Sequence, residues 1–259
     1  MGVWYRRFIA GEWCLAEGAI FDFFDTSVHS IQRPPANAKF HIVGCDIGFT
    51  NPSAFVLIGY NDQVSPPLWV EDEYYFDSKK AGRQKTDAEY AADLTNFVAG
   101  RNVKFIYIDP AAASFKVEMR KAGIGIPIRD ADNDVTEGIK TVSSYLSMGD
   151  LKICRNCRNL IGEVQEYCWD SKAAERGEDA PIKRNDHALD ALRYALFFVF
   201  WREGFIEGGS ARSRWSIPLP TRKSVFIRSS AVAAGAELEF LTFSLHEPPT
   251  GRLGAFDVN

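Results

Sequence analysis

The chain has 259 residues, 46% hydrophobic and 25% charged, with a formal net charge of −4. These proportions are ordinary for a soluble globular protein and allow one large domain, or one of usual size with arms. No apolar run is long enough to span a bilayer, and no apolar core follows Arg6 and Arg7 as in a secretory signal, so a cytosolic protein is expected.

Residues 1–38 are aromatic-rich and irregular, and close on Arg33-Pro34-Pro35-Ala36-Asn37, so they read as a linker or arm. Strand-like runs follow at 40–46, 54–60 and 68–76, with a tight turn at Gly48 to Pro52 and a Pro66-Pro67 break. Short turns between such runs predict a meander. The period then changes: in 87–98, Tyr90, Ala91, Leu94, Phe97 and Val98 recur at helical spacing. A compact strand at 103–108 precedes a helix at 111–122, which Gly123 or Gly125 would close. A short strand at 126–128 and helices at 135–148 and 160–169 come next, then an Ala- and Leu-rich helix at 186–201. Strands that open antiparallel and then alternate with helices predict an α/β fold, with a mixed sheet flanked by helices on both faces. After Gly204 the pattern dissolves into short apolar runs broken by Gly and Pro, so residues 204–259 form an extension of unassigned structure.

The acidic residues carry the chemistry. Asp46 ends an apolar strand, and Asp109 ends another. A carboxylate in such surroundings is costly unless it is paired, hydrogen-bonded or bound to a cation. The C-terminal ends of strands are also where open α/β sheets place ligand sites. Asp109 has a plainer reading as a turn starter before Pro110. On the last helix, Asp186 and Asp190 are one turn apart and His187 lies three residues before Asp190. Asp186 also fits the first turn of a helix, where the dipole favours an acid. Hard oxygen ligands of this kind suit Mg2+ or Mn2+. Two such ions can activate water and stabilise the leaving oxygen of a phosphodiester, with no Ser, Cys or His nucleophile. His187 is a candidate second-metal ligand, water-orienting group or proton carrier.

Two basic clusters stand out: Lys79, Lys80, Arg83 and Lys85, and later Arg212, Arg214, Arg222, Lys223 and Arg228. The first is a candidate DNA contact, although a charge run is usually a solvated surface. Five cysteines outside a secretory context do not suggest a disulfide framework. Cys154 and Cys157 have zinc-like spacing without a second pair; Cys168 and His187 would have to complete such a site.

Together these segments resemble the C-terminal nuclease domain of phage terminase large subunits, a ribonuclease H-like fold. Gly44-Cys45-Asp46-Ile47-Gly48 is similar to the family's first acidic motif, and Tyr107-Ile108-Asp109-Pro110-Ala111 to its second. The stretch from Lys183 to Tyr194 is similar to the closing motif, Leu160-Ile161-Gly162-Glu163 to the helix before it, and Gly11-Glu12-Trp13 to the segment joining motor and nuclease. The resemblance implies a nuclease domain over 39–203, with Asp46, Asp109 and Asp190 as catalytic metal ligands for two Mg2+ or Mn2+ ions and His187 as an additional candidate. It implies cutting of concatemeric double-stranded DNA in the cytoplasm of a bacterial host, with a terminase small subunit and portal protein as partners. No G-x-x-x-x-G-K-[ST] motif occurs, so ATP hydrolysis is not expected of this chain by itself. Three other readings compete: a non-cutting prophage remnant that binds DNA or portal protein, a resolvase of the same fold, and an actin-like ATPase suggested by Asp46-Ile47-Gly48-Phe49-Thr50. The last would need a second, duplicated domain.

Overall fold

The computed structural model describes residues 18–48 and 50–201, without the side chains of 197–201. The 204–259 extension and its basic cluster, and most of the segment joining motor and nuclease, lie outside the described residues. In chain order, α1 (Thr26–His29) and β1 (Ser30–Ile31) lead into the antiparallel run β2 (Phe40–Asp46), β3 (Ser53–Tyr60) and β4 (Leu68–Phe76). Then come α2 (Ser78–Ala81), α3 (Asp87–Val98), β5 (Val103–Ile108), α4 (Ala113–Lys121) and β6 (Ile128–Asp130). The described part closes with α5 (Val135–Ser147), β7 (Leu151–Cys154), α6 (Arg158–Glu166), α7 (Ser171–Glu175) and α8 (His187–Trp201). No described helix is long and apolar enough to cross a membrane.

The strands form one seven-stranded sheet in the order β1-β7-β4-β3-β2-β5-β6. The meander is antiparallel, whereas β5 runs parallel to β2 and β6 parallel to β5. The mixed sheet is therefore as expected, and it has helices on both faces. Side-chain alternation divides the core. Ile42, Val56, Ile58 and Tyr107 face α5, α6 and α8, while Val43, Cys45, Leu57 and Ile106 face α3 and α4. α3 begins where the sequence predicts because Thr86 and Glu89 form a reciprocal capping box.

β6 lies at Ile128–Asp130 rather than at the expected 126–128, and three larger features differ from the sequence reading. β7 was not anticipated: Leu151-Lys152-Ile153-Cys154 is too short to show a period, and its partners β1 and β4 are distant in sequence. Residues 160–169 are not one helix. α6 starts at Arg158 and stops at Glu166, because Cys168 and Trp169 turn into isolated bridges with Ala19 and Pro181. Residues 18–31, within the stretch read as an arm, are built into the fold: Ile20 and Phe21 are buried and β1 pairs with β7.

Period-two alternation also decides where the acids point. Asp46 has the same parity as Ile42 and Gly44, and Asp109 the same parity as Tyr107, so both belong to the face covered by α8. The register pairs Cys45 with Ile108 on parallel neighbours, which sets Asp46 and Asp109 side by side at the C-terminal edge. α8 reaches them because Gly44 leaves β2 without a side chain beneath Ala191. A Cβ on Gly44 would lie 1.8 Å from the carbonyl oxygen of Ala191. Gly44→Ala should therefore push α8 off the sheet and cost about 3 kcal/mol or more of unfolding free energy. Urea unfolding checks this, and a midpoint equal to the parent's would show that the close approach does not constrain the fold.

Candidate active site

At the C-terminal edge of β2 and β5, Asp46, Asp109 and the start of α8 converge. His187, the first residue of α8, places Nδ1 2.8 Å from Asp46 Oδ2. Tyr194 donates its hydroxyl to Asp109 Oδ2 at 3.2 Å. The other oxygen of Asp109 accepts from the Ala111 backbone N–H at 2.8 Å and from Asn133 at 3.3 Å. The turn-starter role of Asp109 is thus real, and it occupies one oxygen only. Asp190 Oδ1 accepts from Arg193 Nε at 3.1 Å and Nη2 at 2.6 Å. Arg193 is 2% exposed and lies against Gly138, where a Cβ would come 2.9 Å from Nη1.

Asp186 is placed differently from the expectation. It precedes α8 rather than lying in its first turn, since its carbonyl accepts the Asp190 N–H at 2.7 Å. The cause is Asn185, whose positive φ of 51° turns the chain just before the helix. Asp186 Oδ2 is buried without a hydrogen-bond partner. Lys183 Nζ lies 4.0 Å from both Asp186 Oδ2 and Asp190 Oδ2, a cation beside two carboxylates.

The electrostatics follow from crowding of like charges. Burial raises the Asp46 pKa, its hydrogen bond to His187 opposes this, and the charges of Asp190 and Asp109 raise it further. For His187, burial favours the neutral ring, but the Asp46 hydrogen bond and the charges of Asp46, Glu163 and Asp186 outweigh it and raise the pKa. Both shifts make this edge hold protons more tightly, mainly through burial at Asp46 and through the Asp46 hydrogen bond and neighbouring negative charges at His187.

Among the described residues, no three His, Cys, Asp or Glu side chains close into a ready-made metal cage. Protein partners engage the acids one by one. By donor type the residues still fit a hard divalent cation: buried and half-buried carboxylates gathered at one edge, one orphaned oxygen on Asp186, and the Lys183 ammonium 4.0 Å from two of them.

The zinc reading fails on placement. Cys154 and Cys157 are buried in the apolar core beside α8, with the Cys154 thiol pushed up to about 11 by burial. Cys168 sits in a bridge with Ala19, and His187 is committed to Asp46. Of the first basic cluster, Lys79 and Lys80 are exposed. Arg83 pairs with Glu89 at 2.8 Å. Lys85 is withdrawn from the surface, bonded to Asp93 and, at 3.1 Å, to the Tyr74 hydroxyl. Ser78 bonds the Thr50 carbonyl at 3.3 Å, so α2 stands at the same edge of the sheet as Asp46.

A family model described as "Terminase RNaseH-like domain" matches residues 43–198. The chain belongs to this family. It is 40% identical to the large terminase of a thermophilic bacteriophage, solved in complex with ADP, at a TM-score of 0.72 over 78% of this chain and 50% of that one. It is 25% identical over 206 residues to the terminase large subunit of Escherichia phage T5, covering 76% of this chain and 45% of that protein. The chain thus spans about half the length of these relatives. The large terminase nuclease of the thermophilic phage G20c with bound magnesium is 12% identical, with a TM-score of 0.53 over 69% of this chain and 96% of that one. At that identity the likeness is one of fold alone, and the ribonuclease H-like assignment rests on the family model.

Sequence reasoning assigned no role to Arg193, Tyr194 or Glu163. Arg193 was legible from its i+3 spacing to Asp190, and Glu163 from being an acid among the buried positions Leu160 and Val164. The Tyr194 contact with Asp109 spans 85 positions and had no local signal. Glu163 gives a pH prediction. Burial lifts its pKa from the ordinary 4.5 to about 8, against the lowering effect of the Leu189 N–H it accepts. The folded state keeps this proton across a window in which the unfolded chain releases it, so its contribution to stability is lost as pH rises from about 4.5 to about 8. Glu163→Gln removes that titration. Relative to the parent, its unfolding free energy should rise through this window by roughly a few kcal/mol at most, measured by urea unfolding of metal-free protein. A pH-independent difference would mean that Glu163 ionises as it does in the unfolded chain.

Proposed function

We propose that this domain is a DNA endonuclease dependent on two Mg2+ or Mn2+ ions, which cuts concatemeric phage DNA during genome packaging. The observation that carries the reading is the convergence of Asp46, Asp109 and Asp190, from two adjacent parallel strands and one helix, on a single face of a terminase-family fold. When bound, divalent ions would supply Lewis-acid activation of water and neutralise charge on the phosphodiester. Asp46, Asp109 and Asp190 would hold them, with Asp186 the nearest further carboxylate. The remaining work falls to the chain's own side chains. Tyr194 and Arg193 each hold one carboxylate oxygen in place, which limits the rotation of Asp109 and Asp190. His187, with a raised pKa and a hydrogen bond to Asp46, can carry a proton at Nδ1 or release Asp46 to a cation.

Lys79 and Lys80 on α2, beside the loop that follows Asp46, would touch DNA phosphates, with Arg83 next to them. Such contacts carry no sequence information, so a small terminase subunit would choose the site and a portal protein would receive the cut end. The setting would be the cytoplasm of a bacterial host. With Mg2+ or Mn2+ and plasmid DNA, the parent should give nicked and linear products, and Asp46→Ala, Asp109→Ala and Asp190→Ala should each abolish them. Three variants that cut as well as the parent would remove the site from consideration. Lys79→Ala with Lys80→Ala should weaken DNA binding and lower the slope of log affinity against log salt by about 2.

A further inference from the structure

The two helices that frame the site are both capped by carboxylates borrowed from elsewhere. A helix start leaves backbone N–H groups without partners, and the residue at the cap position usually supplies an acceptor. At the start of α6, Cys157 makes no side-chain cap bond. Instead Glu73 of β4 accepts from the Asn159 N–H at 2.8 Å and the Leu160 N–H at 2.9 Å. At the start of α8, Asp186 occupies the cap position and carries the preferred side chain, yet its Oδ2 is buried without a hydrogen bond. The Leu189 N–H goes to Glu163 Oε2 of α6, at 2.8 Å, in a fully buried bond. Glu163 is 5% exposed and Asp186 6%.

The sheet thus holds α6 through Glu73, and α6 holds α8 through Glu163. The second link falls two residues after His187 and one before Asp190. It also does the job that Asp186 would otherwise do. If Asp186 turned to cap its own helix, its carboxylate would leave the neighbourhood of Asp190 and Lys183.

We propose that Glu163 is a positioning residue for the cation site: by capping α8 in place of Asp186, it sets the height and rotation of the helix and keeps the Asp186 carboxylate at the site. The inference rests on the metal-dependent reading given above. Gln at this position still presents an oxygen to the Leu189 N–H, whereas Ala does not, and then Asp186 is the nearest acid able to take over the cap.

The test uses the full chain, with Glu163→Ala, Glu163→Gln and Asp190→Ala as variants. In metal-free protein, hydrogen exchange at the Leu189 amide should speed up by about tenfold in Glu163→Ala and stay at the parent rate in Glu163→Gln. In a Mn2+ titration followed by electron paramagnetic resonance, Glu163→Ala should bind roughly 10- to 100-fold more weakly, with Glu163→Gln within about twofold of the parent. An unchanged Leu189 amide in Glu163→Ala overturns the capping role. Parent-like Mn2+ affinity in Glu163→Ala, alongside loss of binding in Asp190→Ala, overturns the positioning role and leaves the nuclease reading intact. A parent that binds no Mn2+ overturns the metal-dependent reading and this inference with it. Should Glu163→Ala fail to fold, a Glu163→Gln that loses Mn2+ affinity while keeping a parent-like Leu189 amide overturns the role of the cap, and one that keeps both supports it.

Discussion

The site depends on one close approach. α8 lies so near β2 that the backbone of Ala191 occupies the space above Gly44, and no other residue type leaves that space free. Because the helix is seated there, His187 at its start reaches Asp46 at the strand end, and Tyr194, two turns on, reaches Asp109 on the neighbouring strand. A strand alternates its side chains and a helix repeats every 3.6 residues, so one contact fixes the alignment of the rest. Ala188, Ala191 and Ala195 are buried here because larger side chains would hold the helix away from the sheet.

That seating brings like charges together in a partly dry place, which stability alone would not favour. Each of these carboxylates has its own partners: His187 for Asp46, Tyr194, Asn133 and a turn N–H for Asp109, and Arg193 for Asp190. The partnering is incomplete at Asp186, where one buried oxygen has no hydrogen bond. A fold that used its polar groups for stability alone would have set Asp186 to cap α8. Here a carboxylate from another helix caps it, and the local acid is left over. An excess of this kind is what a bound cation would relieve.

Much of the arrangement was legible in the sequence because its signals are local. The apolar runs that end at Asp46 and Asp109, the helical spacing of apolar residues in α3 and the Ala- and Leu-rich closing helix each declare themselves over a short stretch of chain. What was not legible depends on pairing over distance. β7 is four residues long and has meaning only between β1 and β4. The Glu163 contact with α8 spans 26 positions and the Glu73 contact with α6 spans 87. Asp186 was misplaced by a single turn residue, Asn185, whose left-handed conformation no helical periodicity announces. The basic cluster illustrates the opposite error: four cations in one stretch look alike in sequence, yet Lys85 is folded inward onto Asp93 while Lys80 stays exposed.

On the proposed function, the acidic edge of β2, β5 and α8 holds divalent cations. Crystals soaked in Mn2+ and measured for anomalous scattering test it most directly. Two peaks bounded by carboxylate oxygens of Asp46, Asp109 and Asp190, at about 2.0–2.2 Å, are the predicted result. Saturating Mn2+ with no density at this edge, and with His187 still bonded to Asp46, would contradict it.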